Sequence, residues 1–288
     1  MKVDGKHLAN AFLEDLALAV EKLRDKHITP HLAVFLVGDD PASAAYVKQK
    51  QLKGEAIGMK VTIKRYDKDA TTEMLLQDLH MCNTDTSLHG IIIQQPLPHQ
   101  IDVKRLIDET DPKKDVDGFH EKSSFTAPIA EGVEEILKFI HQQETKIDKD
   151  EAFEPWLNKK NCVVIGKGET GGAPIIRKLQ SLGTIPKIID SKTEHPDRIK
   201  READIIISCV GKLRTVSATD IKQGVILLSI GMFRGTDGKL HGDYEEDEIK
   251  EIASYYTPVP GGVGPMNVAM LLRNVIAAAE TADLNTAG

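Results

Sequence analysis

Short, continuous apolar runs that end at a glycine or a polar turn constrain the fold of this chain more than any other feature. Two of them lie at residues 32–38 and 90–94, a mixed stretch at 60–66 (KVTIKRY) is also predicted as a strand, and helical periodicity occupies residues 7–25 and the intervals between these stretches. Buried parallel strands have this pattern because helices cover both faces of their sheet. The alternation therefore predicts a parallel α/β sheet in the first part of the chain.

A second alternating series follows a charged stretch without strand character at residues 144–160. Its predicted strands lie at residues 161–166, 186–190, 204–211 and 225–231. A final helix is predicted over about 265–282. Because a chain of 288 residues is long enough for two domains, we predict an α/β fold with two domains.

Composition disfavours several classes of protein. The formal net charge of −7 and the aromatic fraction of 5% argue against binding nucleic acid through bulk positive charge or base stacking. No apolar stretch is long enough to span a bilayer, and the polar N-terminus lacks the apolar core of a signal peptide. The three cysteines have no CxxC spacing, and the ten histidines have no ligand spacing. We therefore expect a cytoplasmic protein without a metal site and without a nucleic-acid or membrane partner.

A glycine turn follows the apolar run at 161–166. Gly166, Gly168 and Gly171 fit the pattern G-x-G-x-x-G between a predicted strand and a predicted helix. In this context the pattern indicates a Rossmann-type dinucleotide site, because glycines let a pyrophosphate approach the N-terminus of the helix. Asp190 ends the next strand, where an acidic residue would meet a ribose hydroxyl. A glycine-rich turn without a ligand is the alternative.

Four polar side chains of the first part stand where a ligand could reach them. Tyr46 and Lys50 share one face of a predicted helix, and a shielded lysine beside a phenol can have a lowered pKa and transfer protons. From the spacing alone, however, a solvated helix surface is the favoured interpretation. Gln94 ends a predicted strand and Asp117 lies in a polar turn. A capping amide and an Asx-turn are their respective alternatives.

Residues 257–266, with the sequence TPVPGGVGPM, hold three prolines and three glycines. Such a segment has few side chains and a rigid backbone, which suits close approach of that backbone to a ligand. A structural turn is the alternative, although the segment is long for one.

Four motifs together resemble one family, that of methylenetetrahydrofolate dehydrogenase/methenyltetrahydrofolate cyclohydrolase. They are Y-V-x-x-K at 46–50, G-I-I-I-Q-Q-P-L-P at 90–98, K-D-V-D-G-F at 114–119 and T-P-V-P-G-G-V-G-P-M at 257–266. Their order and spacing also fit, and the resemblance covers almost the whole chain. It implies oxidation of 5,10-methylenetetrahydrofolate with a nicotinamide cofactor, followed by hydrolysis of the methenyl product to 10-formyltetrahydrofolate.

The resemblance also implies roles for individual residues. Lys50 resembles the catalytic lysine, and Tyr46 the side chain that packs over the folate. Gln94 resembles the hydrogen-bonding partner of that lysine, and Asp117 the carboxylate that anchors the pterin ring. The remaining folate contacts are predicted at Pro260, Gly261 and Gly262. The predicted contacts of the dinucleotide are Gly166, Lys167, Gly168, Gly171, Gly172, Asp190, Ser191 and Lys192.

The cofactor half departs from the family pattern more than the folate half does. The family's P-C-T-P-x-G reads A-P-I-A-E-G at 127–132, which puts Ile129 where a threonine is expected, and compensating extra residues are predicted within 144–157. The family's R-S-x-x-V-G reads K-G-E-T-G-G at 167–172. Lys167 and Lys192 could hold the 2′-phosphate of NADP, whereas Asp190 would repel it and bind a free hydroxyl. The resemblance favours NADP, and NAD stays open.

The resemblance places the domain boundary before the midpoint of the chain. It implies a three-layer catalytic, folate-binding domain of residues 1–130 plus 265–288, a Rossmann-type domain of residues 131–264, and a cleft between them. It also implies a homodimer that acts on tetrahydrofolate derivatives. A family member that has lost the dehydrogenase step, or a non-catalytic folate- or nucleotide-binding paralogue, stays open as an alternative. A generic Rossmann dehydrogenase would leave residues 257–266 unexplained.

Overall fold

The computed structural model describes residues 1–145 and 152–286. The first part of the chain forms α1 (Gly5–Asp25), β1 (His31–Val37), α2 (Pro41–Ala56), β2 (Lys60–Tyr66), α3 (Thr72–Thr84), β3 (Gly90–Ile93) and α4 (Val103–Glu109). The second part forms α5 (Pro128–Glu144), α6 (Phe153–Asn158), β4 (Cys162–Ile165), α7 (Gly172–Ser181), β5 (Lys187–Ile189), α8 (Pro196–Glu202), β6 (Ile205–Ser208), β7 (Ile226–Ser229), β8 (Phe233–Arg234), β9 (Leu240–His241), α9 (Glu246–Ile249), β10 (Tyr255–Tyr256) and α10 (Val263–Thr286), with a 3₁₀ turn at Ala218–Asp220.

The chain divides into two compact units. The first unit contains Asn10–Pro128 and the chain from Val268, and the second contains Met1–Ala9 and Ile129–Asn267. The N-terminal residues cluster with the second unit because their backbone bonds to it: the Val3 N–H donates to the Tyr256 carbonyl at 2.8 Å. The predicted domains, residues 1–130 plus 265–288 and residues 131–264, stay a prediction.

The first unit is built on a parallel three-stranded sheet with the order β2-β1-β3. All seven residues of the central strand β1 are buried, as expected for a strand with both faces covered. Its register pairs His31 with Lys60 of β2 and Leu32 with Gly90 of β3. The chain leaves β1 for one neighbour and returns to the other, so the strand order reverses between β1 and β3. Ligands bind beyond the carboxyl ends of strands at such a reversal.

The second unit is built on a parallel five-stranded sheet with the order β10-β7-β6-β4-β5. The short strands β4, β6 and β7 are completely buried. Here the strand order reverses around β4, because β5 lies on one side of it and β6 on the other. The predicted α/β fold with two domains and parallel sheets is confirmed.

Several short elements of the structure were not predicted from the sequence. The stretch at 144–160 contains α6, and residues 146–151 of the predicted insertion at 144–157 lie outside the described residues. The two-residue strands β8, β9 and β10 are too short for a periodicity to be visible. The last helix begins at Val263 rather than near 265, because Pro265 falls in its first turn, where no backbone N–H is needed.

None of the helices that the structure describes is long and apolar enough to cross a membrane. Over the same residues, no group of three or more His, Cys, Asp and Glu side chains could hold a metal ion. All three cysteines are free thiols, and Cys82 and Cys162 are buried.

Candidate active site

Lys50 is a buried lysine in α2, the helix that follows the central strand β1. Asp40 caps this helix by accepting the Ser43 N–H at 2.7 Å, which fixes where its first turn begins. One helical turn before Lys50, the ring of Tyr46 lies with its centroid 5.3 Å from the lysine Nζ. Lys50 is only 5% exposed, whereas its neighbour Lys48 is exposed. The solvated surface that spacing alone favoured is therefore wrong for Lys50.

Gln94 lies directly after β3 and holds the amine of Lys50. Its backbone N–H continues the sheet pairing by donating to the Phe35 carbonyl at 2.9 Å. The Lys50 Nζ donates to the Gln94 Oε1 at 3.0 Å, and the Gln94 Nε2 donates to the Gln95 carbonyl at 2.7 Å. The amide is therefore held at both ends, with its oxygen directed at the lysine.

Burial changes the charge behaviour of Lys50 and Asp117. Desolvation lowers the pKa of Lys50, and the nearby Asp117 carboxylate opposes this shift. Desolvation raises the pKa of Asp117 to about 6, against the effect of Lys50 and with a contribution from the like charge of Asp115. An amine and a carboxyl group that both titrate closer to neutral pH can exchange protons with a substrate.

Lys114 begins the motif at 114–119 and caps the end of α3. Its Nζ donates to three backbone carbonyls, those of Cys82 at 2.8 Å, Asn83 at 2.8 Å and Asp85 at 2.7 Å. A cation at the C-terminus of a helix satisfies carbonyls that lack partners within the helix. Lys114 therefore stabilises the C-terminus of α3, a role that was not predicted from the sequence.

Asp115, the next residue, holds the turn that carries Asp117. Its side chain accepts the His120 N–H at 2.7 Å, and Gly118 within the turn has a φ of +68°. Among the described residues, no group donates a hydrogen bond to the Asp117 carboxylate. The carboxylate that fixes this turn therefore belongs to Asp115, and no described hydrogen bond supports the Asx-turn that the sequence left open at Asp117.

The glycine turn of the second unit lies between β4 and α7, at the reversal of strand order. Gly166 has a φ of +86°, and a Cβ on Gly172 would lie 1.9 Å from the Gly166 carbonyl oxygen. Gly171 precedes the first residue of α7. A Cβ on Gly168 would meet nothing within 4 Å. Two glycines therefore close the turn and Gly168 leaves open space beside it, which fits a dinucleotide pyrophosphate at the helix N-terminus.

Asp190 and Lys167 meet beside this turn. The Lys167 Nζ lies 2.8 Å from the Asp190 Oδ2, and the Asp190 Oδ1 accepts the Lys192 N–H at 2.9 Å and the Thr193 hydroxyl at 3.2 Å. The bond from Lys167 comes first among the causes that lower the pKa of Asp190 to about 2. Ser191 and Lys192 have exposed side chains.

Pro260, Gly261 and Gly262 belong to the second unit, whereas Lys50, Gln94 and Asp117 belong to the first. The Lys6 N–H donates to the Gly261 carbonyl at 3.1 Å, and Gly261 has a φ of +109°. A Cβ on Gly262 would lie 2.6 Å from the Pro258 carbonyl oxygen. Tight packing within the segment therefore accounts for these two glycines, and a folate contact there stays a prediction.

Two sequence models of one family match the chain. "Tetrahydrofolate dehydrogenase/cyclohydrolase, catalytic domain" matches residues 3–117, and the "NAD(P)-binding domain" of the same family matches residues 147–283. The chain belongs to the tetrahydrofolate dehydrogenase/cyclohydrolase family. The predicted family is therefore confirmed, and with it the nicotinamide dinucleotide as the class of cofactor.

Individual relatives agree with this assignment. The bifunctional protein FolD of Lactococcus lactis is 36% identical over 284 residues, which cover 96% of each chain. The crystal structure of the bifunctional enzyme FolD from Campylobacter jejuni has a TM-score of 0.89 and 35% identity, and covers 98% of this chain and 99% of that one. The FolD structure from Trypanosoma brucei, in complex with NADP and an inhibitor, has a TM-score of 0.87 and 26% identity, with coverage of 98% and 97%.

The departure from the family pattern at 127–132 lies at the start of α5. Ile129 is half-buried in its first turn, where the resemblance expects a threonine hydroxyl. Gly132 keeps its place in the pattern, and a Cβ there would lie 3.3 Å from the Asn267 backbone nitrogen. The substitution therefore removes a polar group while the close packing of the helix is retained.

Proposed function

We propose that this chain oxidises 5,10-methylenetetrahydrofolate to 5,10-methenyltetrahydrofolate with NADP, and then hydrolyses the product to 10-formyltetrahydrofolate. The observation that carries the proposal is the buried hydrogen bond from Lys50 to Gln94, electrostatically coupled to Asp117. All three residues belong to one compact unit. Lys50 lies in the helix after β1, Gln94 follows β3, and Asp117 lies two residues after Asp115, which forms a parallel bridge with Ile91 of β3.

Lys50 would act in its neutral form. Burial lowers its pKa, and an uncharged amine avoids repulsion with the cationic methenyl group of the substrate. Gln94 accepts a hydrogen bond from the Lys50 Nζ, so the nitrogen lone pair is held away from Gln94 and remains able to take a proton. Lys50 could then remove a proton from the water that attacks the methenyl carbon.

Asp117 would bind the pterin ring. Its ionised carboxylate can accept two parallel hydrogen bonds from the N–H groups of a guanidine-like heterocycle edge, a charge-assisted pairing. A pKa of about 6 leaves it mainly ionised at neutral pH. Tyr46 lies beside Lys50 on the same face of α2 and would pack over the folate.

The dinucleotide would be held by the turn between β4 and α7. When bound, it supplies the acceptor for the hydride that leaves the methylene carbon. The chain itself contributes the open space beside Gly168 and the N-terminus of α7, where a pyrophosphate is stabilised by the helix dipole.

The hydrogen bonds and the ion pair that Asp190 already makes support NADP rather than NAD as the cofactor. Its carboxylate already binds Lys167, the Lys192 N–H and the Thr193 hydroxyl, so little of its accepting capacity is left for a ribose hydroxyl. The Lys167 amine lies beside this turn and could bind a 2′-phosphate by a charge-assisted contact. The Trypanosoma brucei relative was crystallised with NADP.

A homodimer through the second unit is part of the proposal. β5 is an edge strand of the sheet formed by the described residues, and an unpaired edge can be covered by a second chain. Ile188 in this strand is 41% exposed, and Ile185 just before it is 85% exposed. A cytoplasmic location is likewise proposed, and free thiols at all three cysteines are compatible with a reducing compartment.

Purified protein mixed with methylenetetrahydrofolate and either NADP or NAD tests the function. Absorbance of the reduced cofactor and of methenyltetrahydrofolate reports the first step, and decay of added methenyltetrahydrofolate above the buffer rate reports the second. We expect both steps, with the first faster with NADP. No turnover with either cofactor would exclude the dehydrogenase, and decay at the buffer rate would exclude the cyclohydrolase.

A further inference from the structure

A buried asparagine, Asn274, interrupts the apolar face of the last helix, α10. Its side chain is 6% exposed, and the residues on both sides along the helix, from Met270 to Ile276, are mostly buried and apolar. An amide in such surroundings is costly unless its donors are satisfied. Its Nδ2 donates to the Val116 carbonyl and to the Thr126 carbonyl, each at 3.0 Å.

The two carbonyls mark the ends of the loop at residues 117–126. Val116 directly precedes Asp117, and Thr126 ends the loop 148 positions before Asn274 in the chain. One amide group therefore ties both ends of the loop together. Gly118 permits this closure, because a Cβ there would lie 2.5 Å from the Phe125 carbonyl oxygen.

Asp115 provides a second anchor for the same loop. Its carboxylate accepts the His120 N–H at 2.7 Å, and its carbonyl accepts the Ser123 hydroxyl at 2.9 Å. The loop is thus fixed at its ends by Asn274 and in its middle by Asp115, whereas no described residue donates a hydrogen bond to the Asp117 carboxylate.

We propose that Asn274 is a positioning residue of the folate site, which holds the Asp117 carboxylate in place through the loop at residues 117–126. The proposal rests on the proposed role of Asp117 as the pterin ligand. A purely structural role would be served as well by an apolar residue of similar size, since α10 is otherwise packed by apolar side chains. The amide instead satisfies two carbonyls of the segment that carries Asp117, so its loss leaves both without a partner.

Steady-state kinetics of Asn274→Ala test the proposal. We expect the KM for methylenetetrahydrofolate to rise about tenfold, the effect expected for one or two lost hydrogen bonds, with the KM for NADP unchanged. The pH below which the folate KM rises should also move downward, because a looser loop exposes Asp117 to water. Asn274→Ser keeps one donor and should give a smaller rise, which also provides a second variant if Asn274→Ala does not fold.

Two further variants separate the possible failures. Ile276→Ala removes a buried apolar side chain from the same helix, and Ile276 has no side-chain hydrogen bond to the loop to lose. If Ile276→Ala raises the folate KM as much as the Asn274 variants do, the positioning role is refuted. Asp117→Asn tests the underlying assignment: an unchanged folate KM refutes the role of Asp117, whereas a raised KM together with unaffected Asn274 variants refutes only the role of Asn274.

Discussion

Burial gives Lys50 and Asp117 properties that exposed side chains of the same type lack. α2 carries Lys48, Lys50 and Lys53 within two turns, and only Lys50 is buried. The motif around Lys50 predicts its importance through the family resemblance, but its burial depends on β3 and Gln94, which are distant in sequence. Asn274 could have been noticed as a polar residue in an apolar helical run, yet its partners at Val116 and Thr126 could not.

The raised pKa of Asp117 makes protein stability depend on pH. The folded protein holds the proton up to about pH 6, whereas the unfolded chain loses it near pH 4, so wild-type stability falls as the pH rises through this window. Asp117→Asn should therefore be more stable than wild type at pH 8 by roughly 1–3 kcal/mol and similar to it at pH 4. Urea unfolding at both pH values measures the difference. The exposed Asp69→Asn serves as control, and a stability gain of equal size at pH 4 would contradict the assignment.

Asp190 should set the balance between the two nicotinamide cofactors. In Asp190→Asn the side chain can still accept the Lys192 N–H, but Lys167 loses its charged partner and becomes available to a 2′-phosphate. We expect the ratio of kcat/KM for NADP to that for NAD to rise about tenfold, as for one gained charge-assisted contact. Asp197→Asn, an exposed change in α8, is the control. An unchanged ratio would count against a place for Asp190 at the ribose.

The glycine turn between β4 and α7 can be divided into a structural and a binding part. The apolar strand, the glycine spacing and the following helix were predictable, because each depends on neighbouring residues. The sequence could not show which glycine closes the turn and which one leaves room for a ligand. That division depends on the φ of Gly166 and on the packing of Gly172 against Gly166.

Gly168→Ala and Gly172→Ala should therefore differ in effect. The added methyl of Gly172→Ala meets the Gly166 carbonyl, so we expect a loss of about 1–3 kcal/mol in stability. Gly168→Ala should keep its stability within about 0.5 kcal/mol and bind NADP more weakly, because the methyl fills the open space. Thermal unfolding and a fluorescence titration with NADPH measure the two effects. Wild-type NADPH affinity in Gly168→Ala would show that the pyrophosphate binds elsewhere.

The whole molecule combines two parallel sheets, each with a reversal of strand order, which is where ligands bind in open α/β sheets. The two sheets could be predicted from the short apolar runs, but the grouping of Met1–Ala9 with the second unit could not be predicted, because it depends on backbone bonds to β10. The exposed apolar edge at β5 could not be predicted either, because the sequence does not show that Ile185 and Ile188 are exposed.

Ile185→Lys tests whether this edge joins two copies of the chain. A charge at an apolar edge strand disfavours pairing, so we expect the variant to elute as a monomer in size-exclusion chromatography with light scattering, and wild type at twice that mass. Leu18→Lys, which places the same charge at an exposed leucine of α1, should stay dimeric. A monomeric wild-type protein, or a dimeric Ile185→Lys, would refute the interface.

If the buried Lys50 performs the hydrolytic step, Lys50→Met should abolish that step. Methionine fills a similar volume without an amine, so the variant should fold and bind NADPH as wild type does. We predict that methenyltetrahydrofolate then decays at the buffer rate in its presence, whereas wild type accelerates the decay. Hydrolysis at the wild-type rate by a folded Lys50→Met would show that Lys50 does not perform this step.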